Sequence, residues 1–378
     1  MIQGSPAELV RPELRRLTAY TLHQVESWKH KIDQNEVPFD FPRRLKAEVL
    51  RRLREPQLRW TVYPDFNGDE LRAAVARHHG WSPEGVLVGG GSSELLSLSV
   101  ECLCPPGGEV ITHVPSFGLY KMLVPRSGAV ACEVEPGEDL LIPYQGLLAE
   151  VRKNPQRPLM LCSPNNPVGD AISLEQMEEL LQVLEAPLLL DGAYAEFCQY
   201  DYRSLLHTYP HLLFYGTMSK AWGVAGMRIG FVLAHPELVA ELVKAKLPYN
   251  LDHAALATGL VALENPTISR RAVAAIVGRR PQWNALLEEA GFETFPSETN
   301  FVLARCCSVD ASAEEAAAAK DRVLHGLGDR GILVRDVSRG HGLAGCLRFT
   351  IGSGAALRDT RIALAEMGYL DADSGGGT

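Results

Sequence analysis

Short apolar runs alternate with stretches of helical periodicity between about residue 40 and residue 265. Such runs are typical of strands buried in a parallel sheet, and the stretches between them of helices that cover it. The runs are Gly85–Val88, Glu109–His113, Leu159–Cys162, Pro187–Asp191, Leu212–Gly216 and Ile229–Ala234. The alternation predicts an α/β domain with a mostly parallel sheet.

The pattern changes after residue 265. A long helical stretch from Pro266 to Ala290 leads into three short apolar runs with a helix among them. These runs are Asn300–Ala304, Gly331–Arg335 and Leu347–Ile351. We therefore expect a large domain over 40–265. A smaller α+β domain is expected from residues 266–378 together with residues 1–39, which show no clear strand–helix alternation.

Composition narrows the classes of function. The 378 residues carry a net charge of −9, which argues against a nucleic-acid or anionic-membrane surface. Anionic ligands must then be attracted locally, by a few arginines. The first residues lack the apolar core of a signal peptide, and the longest apolar runs are too short to span a bilayer. We expect a cytoplasmic protein with neither nucleic-acid nor membrane partners.

Eight cysteines are present, and none forms a C-x-x-C pair. Buried free thiols are the expected state, with zinc ligands or disulfides as alternatives, and no metal site is predicted. The cysteines are Cys102, Cys104, Cys132, Cys162, Cys198, Cys306, Cys307 and Cys346.

A glycine-rich segment, Val86–Glu94 (VLVGGGSSE), runs from a predicted strand into a predicted helix. Glycines let the backbone approach a ligand, and a helix N-terminus offers free N–H groups to a phosphate. A nicotinamide-binding loop would need an acid at the end of the next strand, but that strand ends at His113. Phosphate binding and a simple tight turn both remain open for this segment.

Three further segments follow predicted strands, where ligands of open α/β sheets bind. Ser163–Gly169 (SPNNPVG) could be only a turn, and Asp191, with Tyr194 after it, could be only a helix cap. The third segment runs from Gly216 to Arg228 and contains Lys220 among small and apolar residues. A lone lysine is usually a solvated surface charge.

Together, in this order and spacing, these segments resemble the fold-type I pyridoxal-phosphate aminotransferases of class I/II. The resemblance extends from Tyr20 to Gly352. It implies a three-layer fold with a mostly parallel central sheet, and pyridoxal 5'-phosphate as the cofactor. It also implies that Lys220 binds the cofactor as a Schiff base and moves the substrate proton. Asp191 would keep the pyridine nitrogen protonated, while Tyr194 and Asn166 would bind the phenolic oxygen.

The same resemblance implies a phosphate site and a stacking residue. Phe117 falls where the family stacks an aromatic ring on the cofactor, although it could equally be a core residue. Tyr63 matches a tyrosine that reaches the phosphate from the neighbouring subunit, which implies a homodimer; a turn tyrosine before proline is the alternative. The residues expected to hold the phosphate are Gly91, Ser92, Ser93, Ser219 and Arg228.

Features near both ends of the chain are similar to the histidinol-phosphate aminotransferase branch of the family. Lys31–Pro38 (KIDQNEVP) matches an N-terminal signature of that branch, with Ile32 in place of Leu. Tyr20, Arg335 and Arg348 match its substrate-binding residues, and Asn166 completes the set. One arginine can fork a substrate carboxylate, and a second cation suits a phosphate dianion. A surface ion pair with Asp336 is the alternative for Arg335.

Four positions depart from the family pattern: Gly192, Ser93, Val168 and Phe117 stand where Glu, Asp, Thr and Tyr are common. They weaken the substrate assignment more than the cofactor assignment.

The leading hypothesis is amino transfer between L-histidinol phosphate and 2-oxoglutarate, ping-pong through pyridoxamine phosphate. An aromatic amino-acid aminotransferase and a decarboxylase of a phosphorylated amino acid are the alternatives. A ligand-sensing module of a transcription regulator is disfavoured, because the first 40 or so residues contain no helix-turn-helix pattern.

Overall fold

The computed structural model describes residues 5–18 and 27–371. The strands are β1 (His30–Lys31), β2 (Val86–Gly89), β3 (Glu109–His113), β4 (Val130–Val134), β5 (Leu159–Cys162), β6 (Leu188–Asp191), β7 (Leu212–Thr217), β8 (Gly230–Leu233), β9 (Glu293–Thr294), β10 (Phe301–Arg305), β11 (Ile332–Leu333), β12 (Arg335–Asp336) and β13 (Cys346–Thr350). The α-helices are α1 (Pro12–Arg15), α2 (Arg43–Leu53), α3 (Asp69–His79), α4 (Ser92–Leu103), α5 (Tyr120–Ser127), α6 (Tyr144–Lys153), α7 (Leu174–Val183), α8 (Pro236–Val243), α9 (His253–Glu264), α10 (Thr267–Glu289), α11 (Ala313–Gly328) and α12 (Gly354–Glu366). None of the helices in the described ranges is long and apolar enough to cross a membrane.

The central sheet has seven strands in the order β2-β8-β7-β6-β5-β3-β4. The pairs from β7 through β6, β5 and β3 to β4 are parallel. Strand β8 runs antiparallel to both of its neighbours. The prediction of an α/β fold with a mostly parallel sheet is confirmed.

Alternate residues of the central strands point into two different cores. In β6, Leu188 and Leu190 belong to one buried cluster, whereas Leu189 belongs to another. In β5, Leu159 and Leu161 likewise separate from Met160. Because side chains alternate along a strand, the sheet must lie between two covering layers. This explains why these strands are apolar throughout and gives the three-layer architecture.

Strand β4 was not predicted, because it lies at the edge of the sheet and Val130 is 55% exposed. An edge strand that is only partly buried lacks the continuous apolar run of a central strand. Most other predicted strands agree with the structure to within one or two residues.

A second sheet of four antiparallel strands, in the order β12-β13-β10-β9, is built from residues 293–350. The run Gly331–Arg335, predicted as one strand, is divided between two sheets. Ile332 and Leu333 pair in parallel with β1, whereas Arg335 and Asp336 pair with β13. Residues 30–31 thus lie beside the C-terminal part, whereas α1 contacts α5. The division of the chain at residues 40 and 265 stays a prediction.

All eight cysteines are free. Cys104, Cys162 and Cys346 are buried, but Cys102 is exposed, so the expectation of buried thiols is wrong for that residue. Within the described part of the chain, no three His, Cys, Asp or Glu side chains are grouped so as to hold a metal ion.

Candidate active site

A cavity of about 620 Å³ lies where β5, β6 and β7 end. Carboxyl ends of neighbouring parallel strands meet at one edge of a sheet, so motifs far apart in sequence converge there. Most of the predicted site residues line this cavity, namely Ser92, Ser93, Phe117, Asn166, Asp191, Tyr194, Ser219, Lys220, Arg228, Arg335 and Arg348.

Lys220 lies in the loop after β7, and its side chain is half-buried in the cavity wall. The ammonium group donates a hydrogen bond of 2.9 Å to the carbonyl oxygen of Gln34. Burial, and then the positive charge of Arg348, lowers the pKa of Lys220 to about 7. A large fraction of this amine is therefore neutral, and nucleophilic, near neutral pH.

Asp191 ends β6 and is 2% exposed. Its carboxylate accepts hydrogen bonds from the Ala193 N–H at 3.1 Å and from the Tyr120 hydroxyl at 3.1 Å. Burial raises the pKa of Asp191 to about 6, although both donors oppose the rise. When such a buried carboxyl group is ionised, a nearby cation stabilises it, such as a protonated pyridine nitrogen.

Tyr120 was not predicted, although it stands only three residues after Phe117. Its buried ring packs edge-on against Phe117, with centroids 5.9 Å apart, while its hydroxyl holds Asp191. No local sequence signal marks this contact, because Tyr120 and Asp191 lie 71 positions apart in the chain.

Tyr194 is 4% exposed, and its hydroxyl accepts two hydrogen bonds. Asn35 Nδ2 donates at 2.8 Å and Asn166 Nδ2 at 3.4 Å. A phenol has two acceptor sites and one proton, so this proton remains to be donated. Burial raises the pKa of Tyr194, which keeps it a donor.

The N-terminus of α4 and Arg228 form a concave polar surface at one side of the cavity. Gly91, which precedes α4, has φ of 93°, and a Cβ there would lie 2.5 Å from Arg228 Nη2. Arg228 Nη1 donates to Ser219 Oγ at 3.2 Å. A guanidinium, hydroxyl groups and a helix N-terminus are the donors that bind phosphate.

Arg335 and Arg348 are direct cross-strand partners in β12 and β13. Directly opposed side chains lie on the same face, so two cations point the same way at the cavity. Arg348 donates to Asn166 Oδ1 at 2.6 Å and to the Asp33 carbonyl at 2.8 Å. The Asp336 carboxylate is bound by Lys320 at 3.0 Å.

Sequence reasoning gave no role to Asp33, Gln34 and Asn35, although they lie inside the N-terminal signature. Each contacts a different predicted residue: Asp33 binds Arg348, Gln34 binds Lys220, and Asn35 binds Tyr194. Two of the three contacts use backbone carbonyls, which any residue type provides. Only Asn35 could therefore have been found from its side chain.

Two predicted residues lie elsewhere. Tyr63 is 74% exposed, stacks on Tyr249 with centroids 4.3 Å apart, and is not among the residues that line the cavity. The same chain does not bring Tyr63 to the site. Tyr20 lies outside the described residues.

Two of the departures from the family pattern have structural reasons. A Cβ at Gly192 would lie 2.3 Å from the Phe214 ring, so a side chain there would displace that ring. Val168 is fully buried in an apolar cluster with Leu343 and Phe295, where a hydroxyl would lack a partner.

The residues present fit pyridoxal phosphate. Lys220 offers a neutral amine, Asp191 a buried carboxylate in need of a cation, and Tyr194 a proton for an oxyanion. Gly91, Ser92, Ser93, Ser219 and Arg228 form a site for the phosphate. Phe117 lies in the cavity wall, where an aromatic ring can cover the cofactor face.

Comparisons with known proteins agree with this fit. The family described as aminotransferase class I and II matches residues 29–364. The chain is 36% identical over 347 residues to a histidinol-phosphate aminotransferase of Chlorobium phaeovibrioides, covering 91% of this chain and 92% of that protein. The structure of a histidinol-phosphate aminotransferase from Sinorhizobium meliloti, in complex with pyridoxal-5'-phosphate, superposes with a TM-score of 0.82 at 25% identity, covering 95% of this chain and 97% of that one. The fold is shared by L-threonine-O-3-phosphate decarboxylase from Porphyromonas gingivalis, with a TM-score of 0.73 at 20% identity over 89% of this chain and 98% of that one.

Proposed function

The chain belongs to the class I and II aminotransferases, and from that premise we propose that it transfers an amino group from L-histidinol phosphate to 2-oxoglutarate. Family membership makes it a pyridoxal-phosphate enzyme that takes an amino donor and a 2-oxo acid. The proposal adds the identity of the donor and a place in histidine biosynthesis.

The observation that carries the proposal is the opposed pair Arg335 and Arg348. In a ping-pong reaction, two substrates occupy one cavity in turn. Glutamate carries two carboxylates, whereas histidinol phosphate carries a phosphate and no carboxylate. A forked arginine and a second cation beside it suit both substrates, because either one places an anion between them. Tyr20, which matches a substrate-binding residue of the histidinol-phosphate aminotransferase branch, is also proposed to bind the substrate.

Pyridoxal phosphate, when bound, supplies an electron-accepting ring that acidifies the substrate Cα–H bond and stores the amino group between half-reactions. The chain's residues hold that ring and move the protons. Asp191 would hold the pyridine nitrogen as a carboxylate, and Tyr194 and Asn166 would bind the phenolic oxygen. Arg228 and the N-terminus of α4 bind the phosphate, which fixes the ring relative to Lys220.

Lys220 Nζ is the group that accepts the proton from the substrate Cα as a base and then donates it as an acid. A base works best when its pKa is near the working pH, and the pKa of about 7 for Lys220 meets this condition. Arg348 binds the glutamate α-carboxylate and so orients the Cα–H bond toward that amine.

We further propose that two copies of the chain complete each other's sites through Tyr63. Tyr249 stacks on it and Phe66 packs edge-on against Tyr249, and these two side chains are 39% and 47% exposed. A patch of this kind on a folded chain is typical of an interface. A Lys220→Ala chain mixed with a Tyr63→Ala chain would then form hybrids with one intact site and regain activity. Activity no greater than the sum of the two variants alone would contradict the arrangement.

The eight free cysteines support a cytoplasmic location, where thiols stay reduced.

An amino-donor panel tests the donor. Purified holoenzyme with 2-oxoglutarate should form glutamate fastest with histidinol phosphate, and phenylalanine and tyrosine should be poor donors. Preference for the aromatic amino acids would identify an aromatic aminotransferase instead. Carbon dioxide release from threonine phosphate without consumption of 2-oxoglutarate would identify a decarboxylase. No glutamate from histidinol phosphate would refute the proposal.

A further inference from the structure

Asn35 is held by hydrogen bonds on each of its polar groups. It is 1% exposed and adopts the left-handed region with φ of 56°, which asparagine tolerates better than most residues. The backbone N–H donates to Thr350 Oγ1 at 2.9 Å, and the backbone carbonyl accepts from Asn300 Nδ2 at 2.9 Å. The side chain accepts from Thr350 at 3.2 Å and donates to Tyr194 at 2.8 Å.

These contacts set the direction of a chain of hydrogen bonds. The Thr350 proton goes to Asn35 Oδ1, so Asn35 Nδ2 faces Tyr194 and donates to it. With Asn166 Nδ2 donating as well, both acceptor sites of the Tyr194 hydroxyl are filled. If the Asn35 amide were turned over, Tyr194 would instead have to donate its proton to Asn35.

We propose that Thr350 and Asn35 are positioning residues that direct the Tyr194 hydroxyl proton into the cavity, toward the phenolic oxygen of the cofactor. The inference rests on the proposed function only for the presence of that cofactor. It assigns a task to Asn35, which lies in the cavity wall, and to Thr350 of β13, which is not among the lining residues.

The task has a chemical consequence. A hydrogen bond donated to the phenolic oxygen of the cofactor stabilises the negative charge on that oxygen. The nitrogen that joins the cofactor to Lys220 therefore loses its proton at a lower pH. Turning the Tyr194 proton away should therefore raise the pH of the visible absorbance transition of the holoenzyme. The charged and titratable groups around Tyr194 are Arg348, Lys220, Asp191 and Cys162, and the test leaves all of them in place.

The test is a spectrophotometric pH titration of holoenzyme without substrate. Tyr194→Phe sets the scale, with an expected rise of about one unit for one lost hydrogen bond to a charged group. Thr350→Val has nearly the same shape, frees the Asn35 amide, and should give about half of that rise or more. Asn35→Asp keeps the backbone conformation and presents only acceptors when ionised, so it should also raise the transition.

Two comparisons separate this role from simple damage. Thr360→Val removes another buried hydroxyl, whose 2.7 Å bond goes to the Ala356 carbonyl, and should leave the transition unmoved. Thr350→Val should add nothing in a Tyr194→Phe background if it acts through that hydroxyl.

An unmoved transition in folded, coloured Thr350→Val and Asn35→Asp enzymes would overturn the inference. So would a Thr350→Val shift that persists in full without the Tyr194 hydroxyl. Failure of the donor panel with coloured enzyme would sink only the substrate assignment, whereas colourless enzyme would sink the cofactor assignment and this inference together.

Discussion

At its inner end the cavity presents Asp191, Asn166 and Tyr194, which are 2%, 8% and 4% exposed. Its mouth presents Lys121, Arg339 and His341, which are all exposed. The inner residues are joined by hydrogen bonds that fix their orientation, so they demand a particular ligand. The mouth offers positive charge with less constraint on geometry. The inner end therefore fits the cofactor, and we propose that the outer part of the cavity, which begins at Arg335, selects the substrate.

Lys220→Ala is the harshest test of the inner end. Turnover should fall by several orders of magnitude, and the visible absorbance of the bound cofactor should disappear, because the other lysine among the described residues that line the cavity, Lys121, lies at the mouth. Absorbance spectra and steady-state rates measure both effects. Lys153→Ala is the control, since Lys153 pairs with Glu150 on α6 and is not among the residues that line the cavity. A coloured, active Lys220→Ala enzyme would refute the assignment.

Arg348→Lys tests the arginine that connects the inner end of the cavity with its outer part. Lysine keeps the charge but cannot fork a carboxylate or hold Asn166 in the same way. The loss of two charge-assisted bonds predicts a fall in kcat/KM for glutamate of about a hundredfold or more. Arg305→Lys, a buried arginine on neighbouring β10, should change this value little. Similar effects in both variants would point to damage of the sheet rather than to substrate binding.

Arg335→Gln separates the substrates at the mouth. We expect kcat/KM for histidinol phosphate to fall about ten- to a hundredfold, with a smaller loss for glutamate, because a dianion depends more on the second cation. Half-reactions with each donor measure the difference. Arg339→Gln, at the exposed edge of the same mouth, should have a weaker effect. Equal losses for both donors would mean a general role for Arg335.

Arg228→Ala tests the phosphate site of the inner end. Losing one charge-assisted bond should raise the dissociation constant of pyridoxal phosphate about ten- to a hundredfold. Pyridoxal, which lacks the phosphate, should bind wild type and variant equally well. Titration of apoenzyme with each compound gives the values, and an equal loss for pyridoxal would show that Arg228 does not act on the phosphate.

The smallest expected effect is the change with pH in the rate at which Lys220 binds the cofactor. Only the neutral Lys220 amine attacks a carbonyl, so the capture rate should rise about tenfold per pH unit below 7 and level off above it. Because the charge of Arg348 lowers the pKa of Lys220, Arg348→Gln should move the midpoint upward. Stopped-flow absorbance of apoenzyme measures the profile. A midpoint near 10.5 would mean that Lys220 titrates as an ordinary exposed lysine.

The convergence of Asp191, Lys220 and Asn166 could be predicted from sequence, because Asp191 ends a buried strand and the other two lie in loops that follow buried strands. Their motifs are also short and local. Tyr120 could not, since its contact with Asp191 spans 71 residues and its motif resembles a helix start. Asn35 lay inside the recognised signature, but its bonds to Thr350 and Tyr194 depend on packing between distant segments. The edge strand β4 was missed for a related reason, since partial burial removes the apolar run that marks a strand.

The contact between Asn35 and Thr350 joins residues 315 positions apart. At a synthesis rate of about 5–20 residues per second, Asn35 leaves the ribosome's active centre roughly 15 to 60 seconds before Thr350 is made. By the end of that interval the nascent chain contains Asp191, Lys220 and the Asn35 and Asn166 amides that face Tyr194, but the Thr350 hydroxyl that binds Asn35 Oδ1 does not yet exist. A chain that ends before residue 346 would have the lysine and the tyrosine but would lack the threonine that we propose sets the direction of the Asn35 amide.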